Sequence, residues 1–268
     1  MSYAFPPGGL PGQEGDPAAS GAVFTTAYAL IPAGVQRDIV TSFLPGWEGT
    51  RAWVLARPLT GFAETFAQMA LEVAPGGGGG DDAPEAESVL LVAAGEGRLA
   101  FGNEAHGLAP GAYAYLPPGA AWRLQARSTL KAHWIRRRWL PAPGLAPPPA
   151  LVTSDGATPV RWMPGTERWG TTRFVEPDDL RHDMHVNIVT FRPGGRIPFA
   201  ETHVMEHGLY VLEGTARYLL NDRWHGVGPG DFMWLRAFCP QACVATGQGP
   251  FRYLLYKDVN RLPPLGLP

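Results

Sequence analysis

The chain has 268 residues with 22 Lys and Arg against 24 Asp and Glu, so a net charge of -2 gives no field that would recruit nucleic acid or acidic membranes. Glycine (34) and proline (28) suit a turn-rich protein of short strands, while nine Trp argue for a packed core over disorder. The two cysteines, Cys239 and Cys243, are four apart, too far along a strand to be bridged, which points to a reducing compartment. The start, Met1 to Gly9, has neither a basic nor an apolar signal region, and no apolar run approaches membrane-spanning length. A cytoplasmic protein is expected.

After an N-terminal arm, the glycine run Gly76 to Gly80 is the first distinctive feature. No Gly-Lys-Ser/Thr follows it, so it reads as a flexible loop rather than a phosphate cradle. Arg136-Arg137-Arg138 is an isolated basic trio on a strand, a weak nucleic-acid signal. Pro141 to Pro149 is a stiff extended connector. Beyond it the second half repeats the first at an offset of about 119 residues: Val211-Leu-Glu-Gly matches Val92-Ala-Ala-Gly, and Pro229-Gly-Asp matches Pro110-Gly-Ala. The expected organisation is two copies of one β-rich unit, residues 1–145 including the arm and residues 146–268.

The most informative segment, Gly195 to Gly214, places Glu201, His203 and His207 within seven residues. On a helix each residue turns by ~100°, so Glu201 and His203 would point apart. On a strand of period two, Glu201, His203 and His207 share one face. Gly194, Gly195, Pro198 and Gly208 favour the strand. His203-Val-Met-Glu-His207 also spells the inverted zinc-protease pattern, which needs a helix. The plainer alternative is a solvated strand face. Glu206 alternates away from the others and reads as solvated or salt-bridged.

Thr215 to Leu220 and Arg223 to Val227 read as a hairpin around Asn221-Asp222, followed by strands Phe232 to Leu235 and Phe251 to Lys257. Tyr253 and Lys257 are four apart on the last strand and share a face. An inward Lys257 would be a buried ammonium that requires an anionic partner. The alternative is that both face solvent. His182, His185 and His225 lack matching partners and read as structural.

Gly195, the Glu/His cluster, Gly214 and the later Pro229-Gly230-Asp231 with Pro240-Gln241 resemble the two motifs of cupins, small jelly-roll barrels. Glu201 and His203 fill the usual H-x-H slots, His207 the glutamate slot, and Gln241 the place of a third histidine. That unusual set, with Tyr256-Lys-Asp-Val-Asn-Arg261, resembles the (S)-ureidoglycine aminohydrolases, two-cupin manganese enzymes of purine (allantoin) breakdown. The resemblance implies an all-β bicupin of two tandem jelly-roll barrels with an N-terminal arm. It also implies metal ligands Glu201, His203, His207 and Gln241, and substrate contacts at Tyr218, Tyr253 and Lys257, with Glu201 joining these three as acid/base candidates.

In the first half the equivalent positions, within a residue, are Asp82, Pro84, Ser88 and Trp122. An indole and a proline cannot ligate a metal, so that barrel is expected to be metal-free. A carboxylate, two imidazoles and an amide oxygen suit Mn²⁺ or Fe²⁺ better than structural zinc or Cu(I), and the resemblance implies Mn²⁺ ahead of Fe²⁺. The expected partners are a small anionic ureido substrate and further copies of the chain, with neither nucleic acid nor membrane. Two other functions fit the same residues: an iron-dependent oxygenase or other redox cupin, and a non-catalytic small-molecule-binding cupin.

Overall fold

A computed structural model describes residues 3–4, 21–36, 41–42, 44–59, 61–81, 83–258 and 261. Its strands in chain order begin with β1 (Tyr3–Ala4), β2 (Val23–Phe24), β3 (Tyr28–Ile31), β4 (Thr41–Ser42), β5 (Glu48–Ala56), β6 (Ala67–Asp81) and β7 (Ala86–Ala94). Then come β8 (Gly97–Phe101), β9 (Glu104–Leu108), β10 (Ala112–Leu116), β11 (Trp122–Ala126), β12 (Leu130–Arg138), β13 (Leu151–Ser154), β14 (Val160–Trp162) and β15 (Trp169–Arg173). The last are β16 (His185–Phe191), β17 (His207–Glu213), β18 (Ala216–Leu220), β19 (Arg223–Val227), β20 (Phe232–Leu235), β21 (Gln241–Ala245) and β22 (Phe251–Lys257). The fold is all-β, a bicupin of two jelly-roll barrels. No helix among the described residues is long and apolar enough to cross a membrane.

The chain forms two compact units. One comprises Met1–Gln13, Asp38–Arg57 and Phe66–Ala157, the other Glu14–Arg37, Pro58–Thr65 and Thr158–Pro268. The division at residue 145 expected from sequence therefore needs correcting. The first unit extends through β13, which pairs with β10, and the arm strand β3 pairs with β20 of the second unit. A segment that sequence assigned to the first barrel supplies the second with an edge strand. Residues 5–20 of the arm lie outside the described residues.

Each barrel repeats one topology. In the first unit the sheet runs β1-β4-β5-β6-β12-β7-β10-β13, with β11 joining β6 to β8 and β8 carrying β9. In the second a large sheet runs β14-β15-β16-β22-β17-β20-β3-β2, faced by the small sheet β19-β18-β21. The duplicated turns show why the repeat keeps its glycines. Gly95 and Gly214 have φ of 78° and 74°, and a Cβ on either would lie 2.1 Å from a carbonyl oxygen, Thr129 O or Pro250 O. No other residue fits there.

Alternation along the strands builds each core. Val189 and Phe191 of β16, Leu209 and Val211 of β17, and Phe251 and Tyr253 of β22 converge on Met233, Leu220 and Cys243. Each fully buried aliphatic or aromatic side chain of this kind contributes about 1.5–3 kcal/mol.

The glycine run is not a loop: Gly76 to Gly80 lies inside β6. A Cβ on Gly78 would sit 1.9 Å from Leu124 O and one on Gly80 1.8 Å from Trp122 O, while one on Gly79 would strike the Trp47 indole at 2.3 Å. The glycines let β6 pack directly on β11 and on that ring.

Candidate metal centre

The cluster that sequence placed on a strand is gathered differently. β17 begins only at His207, and Glu201 makes an isolated bridge to Gln241 at the head of β21. Glu201 N donates to Gln241 O and Gln241 N to Glu201 O, both at 2.9 Å. Residues 202–206 are irregular between these anchors. Pro198 and Pro240 explain the interruption, because neither can donate to a ladder. Loop shape, not strand alternation, brings His203 back to Glu201.

His203 Nε2 lies 3.4 Å from Glu201 Oε1, and the His203 and His207 rings are 5.2 Å apart between centroids. The turn before Gln241 is tied to the same loop, since Phe238 N donates to His203 O at 2.6 Å. Phe238 holds a φ of 65°, a left-handed conformation costly for a residue with a Cβ. His207 is buried on the barrel interior, and burial lowers its pKa to about 3, leaving a neutral imidazole. One ring nitrogen donates to the Met205 carbonyl, which leaves the other as a lone-pair donor. Gln241 Oε1 accepts from Tyr218 Oη at 2.8 Å.

No three His, Cys, Asp or Glu side chains among the described residues stand already closed on one point. The donor chemistry nonetheless fits a hard divalent cation: a carboxylate, a neutral imidazole with its tautomer fixed, a half-buried imidazole, and an amide oxygen held by a phenol.

Register places the other expected residues beside this set. His207 pairs with Lys257 and Leu235, so all three share the interior face. Lys257 is half-buried, and burial followed by the Arg173 charge lowers its pKa while Glu201 raises it. It does not face open solvent. Tyr253 shares that face, and its ring meets Tyr218 edge-on at 5.9 Å. Both phenols are raised well above the ordinary tyrosine value, chiefly by burial, and stay protonated.

One expectation from sequence needs correcting. Glu206 is neither solvated nor salt-bridged. It is buried, and its carboxylate accepts from Trp234 Nε1 (2.5 Å), Glu64 N (2.9 Å), Thr65 N (3.1 Å) and Thr65 Oγ1 (2.5 Å). His185, read as merely structural, pairs in register with Lys257 and faces the same interior. Asn187 and Arg173, which sequence reasoning missed, continue that face across β16 and β15. The available signal was the period-two pattern His185-x-Asn187-x-Val189-x-Phe191, where a core face turns polar at one end. His225 is held outside the site by Tyr28 Oη at 3.1 Å.

In the first barrel the corresponding register positions carry other chemistry. Asp81 pairs with Trp122 as Glu201 pairs with Gln241, and Ser88 pairs with Arg136 as His207 pairs with Lys257. Asp82, named from sequence, lies outside the described residues. Trp47, Trp122 and Trp134 fill the interior, with ring centroids 5.4 to 6.0 Å apart. Arg136 Nη2 stands 3.0 Å from Asp81 Oδ2. An aromatic plug and an internal ion pair occupy the space that the second barrel leaves to its donor set.

A Cupin domain model matches residues 187–256. The (S)-ureidoglycine aminohydrolase of Escherichia coli K12 is 31% identical over 237 residues, 87% of this chain and 88% of that protein. The Arabidopsis thaliana protein of that name is 32% identical over 248 residues, 90% of this chain and 78% of that one. A solved structure of a Pseudomonas aeruginosa protein described as glyoxylate-induced is 55% identical, covers 100% of both chains and superposes with a TM-score of 0.89. The chain belongs to the (S)-ureidoglycine aminohydrolase family of cupin proteins.

Proposed function

We propose that the second barrel hydrolyses (S)-ureidoglycine to (S)-ureidoglycolate and ammonia, a step of purine (allantoin) catabolism, with Mn²⁺ held by Glu201, His203, His207 and Gln241. The observation that supports this reading is the run of contacts from His207 to His203 (rings 5.2 Å apart), His203 to Glu201 (3.4 Å) and Glu201 to Gln241 through paired backbone bonds, with Tyr218 bonded to the Gln241 amide. The bound cation would supply positive charge and Lewis acidity where the substrate carboxylate docks.

The remaining chemistry belongs to the chain. Lys257, costly to bury unpaired, gains an anionic partner in the α-carboxylate. The C–N bond to the amine breaks with its electron pair leaving on nitrogen, and the ureido nitrogen's lone pair fills the vacancy on carbon. Water then adds to that carbon. The amine gains one proton as it leaves and the water loses one, so a single group can give the first and recover the second.

Tyr253 suits that role better than Tyr218, whose hydroxyl is committed to Gln241. Burial keeps Tyr253 protonated at rest, and its hydrogen bond with Tyr218 offsets part of that rise. Glu201 and Lys257 stand beside it as further proton-handling groups.

The test is ammonia release from freshly generated ureidoglycine. Ammonia and ureidoglycolate should form in equal amounts, stop after chelation and resume when Mn²⁺ is returned. Oxygen uptake, or no ammonia from metal-loaded protein, would overturn the reading.

A further inference from the structure

One end of the second barrel's large sheet carries polar side chains that this chemistry leaves unused. Asn187 and His185 continue the core face of β16 beyond Val189, and each is 2% exposed. Asn187 sits in register between Arg173 of β15 and Leu255 of β22, and His185 sits beside Lys257. Asn187 Oδ1 and His185 Nε2 have no hydrogen-bond partner among the described residues, although both atoms are shut away from solvent. A buried polar group left unsatisfied costs about 1–3 kcal/mol. Two of them on one face, next to a guanidinium, call for a ligand that supplies the missing bonds.

We propose that Arg173, Asn187 and His185 form the subsite for the carbamoyl end of the substrate and set the preference for a urea over other N-acyl groups. The proposal rests on the hydrolase reading above. A terminal urea offers N–H donors and a carbonyl acceptor, and the Asn187 amide offers the mirror pair. The Arg173 guanidinium can donate to the same carbonyl, and an imidazole nitrogen completes the set. A carboxylate has no hydrogen to give Asn187 Oδ1, so the charged end of the substrate belongs with Lys257.

The experiment compares ureidoglycine with its N-acetyl analogue, in which a methyl group replaces the terminal NH₂. In Asn187→Leu, kcat/KM for ureidoglycine should fall about ten- to a hundredfold, mainly through KM, with a clearly smaller loss on the analogue, which keeps only the carbonyl contact. Arg173→Gln, at a half-buried position that tolerates change, should weaken both compounds, because both keep the carbonyl. Calorimetry on metal-loaded protein with ureidoglycolate and glycolate reads the ureido contribution directly, and the affinity ratio should shrink in both variants.

An unchanged ratio, or equal losses on both substrates in Asn187→Leu, would overturn the subsite even where wild-type protein releases ammonia. Wild-type protein that releases none sinks the hydrolase reading, and the calorimetric ratio alone then decides the subsite.

Discussion

Tyr218 donates its phenolic hydrogen to Gln241 Oε1 over 2.8 Å inside the second barrel. That bond occupies one lone pair of the amide oxygen and leaves the other free to meet a cation. Partners that orient a ligand in this way are worth about ten- to a hundredfold in metal affinity. Tyr218→Phe should weaken Mn²⁺ binding by that factor, read by titration against a competing chelator. Unchanged affinity would reduce Tyr218 to core packing.

Gln241→His places an imidazole where the amide stands. Imidazole is a good ligand for the same ions, so metal content should survive. Turnover should fall, because the bulkier ring has no acceptor placed for the Tyr218 hydroxyl. A variant as active as wild type would show that the amide is incidental.

Lys257 pairs in register with both His185 and His207, so its ammonium sits among the interior polar groups. Lys257→Met keeps the volume and removes the charge. Metal content should hold while kcat/KM falls roughly ten- to two-hundredfold, the value of a charge-assisted contact. Full activity with metal retained would place the carboxylate elsewhere.

The residues that carry chemistry were legible in sequence where type and spacing are local. The hairpin β18–β19, the strand β22 and the shared face of Tyr253 and Lys257 follow from alternation alone, which leaves open whether that face points inward. Two features were not legible, because their causes are distant in the chain. Gly76 to Gly80 carries every mark of a loop, and only contact with Trp47 and the β11 carbonyls makes it a strand. Arm strand β3 joins the second barrel because β20 offers a free edge some two hundred residues further on, which no local pattern announces. Glu206 failed for a related reason. Its partners at residues 64 and 65 are invisible from its own neighbourhood.

Glu206 therefore makes a stability prediction. Its carboxylate is the shared acceptor for Trp234 Nε1 and for the Glu64 and Thr65 backbone. Glu206→Ala leaves those donors buried or rehydrated at a cost of about 2–4 kcal/mol in urea unfolding. Glu206→Gln keeps an acceptor and should recover part of the loss. Identical stabilities for wild type and both variants would show that the clasp contributes nothing.

The last prediction concerns acid. Burial lowers the pKa of His133 in the first barrel from 6.5 to about 4. Above pH 6.5 the ring is neutral in folded and unfolded chains alike, and its full contribution to stability is present. As pH falls from 6.5 toward 4, the unfolded chain takes up a proton that the folded chain refuses, so stability declines. Below about 4 the folded ring also protonates and the decline from this residue levels off. His185 and His207, each lowered to about 3, act with the same sign over a longer span. His133→Gln removes one contribution without touching the metal centre. Between pH 7.5 and 4.5 the variant should lose less stability than wild type, by about 2–3 kcal/mol. Paired urea titrations at the two pH values read this difference, and equal losses would mean that His133 titrates alike in the folded and unfolded chains.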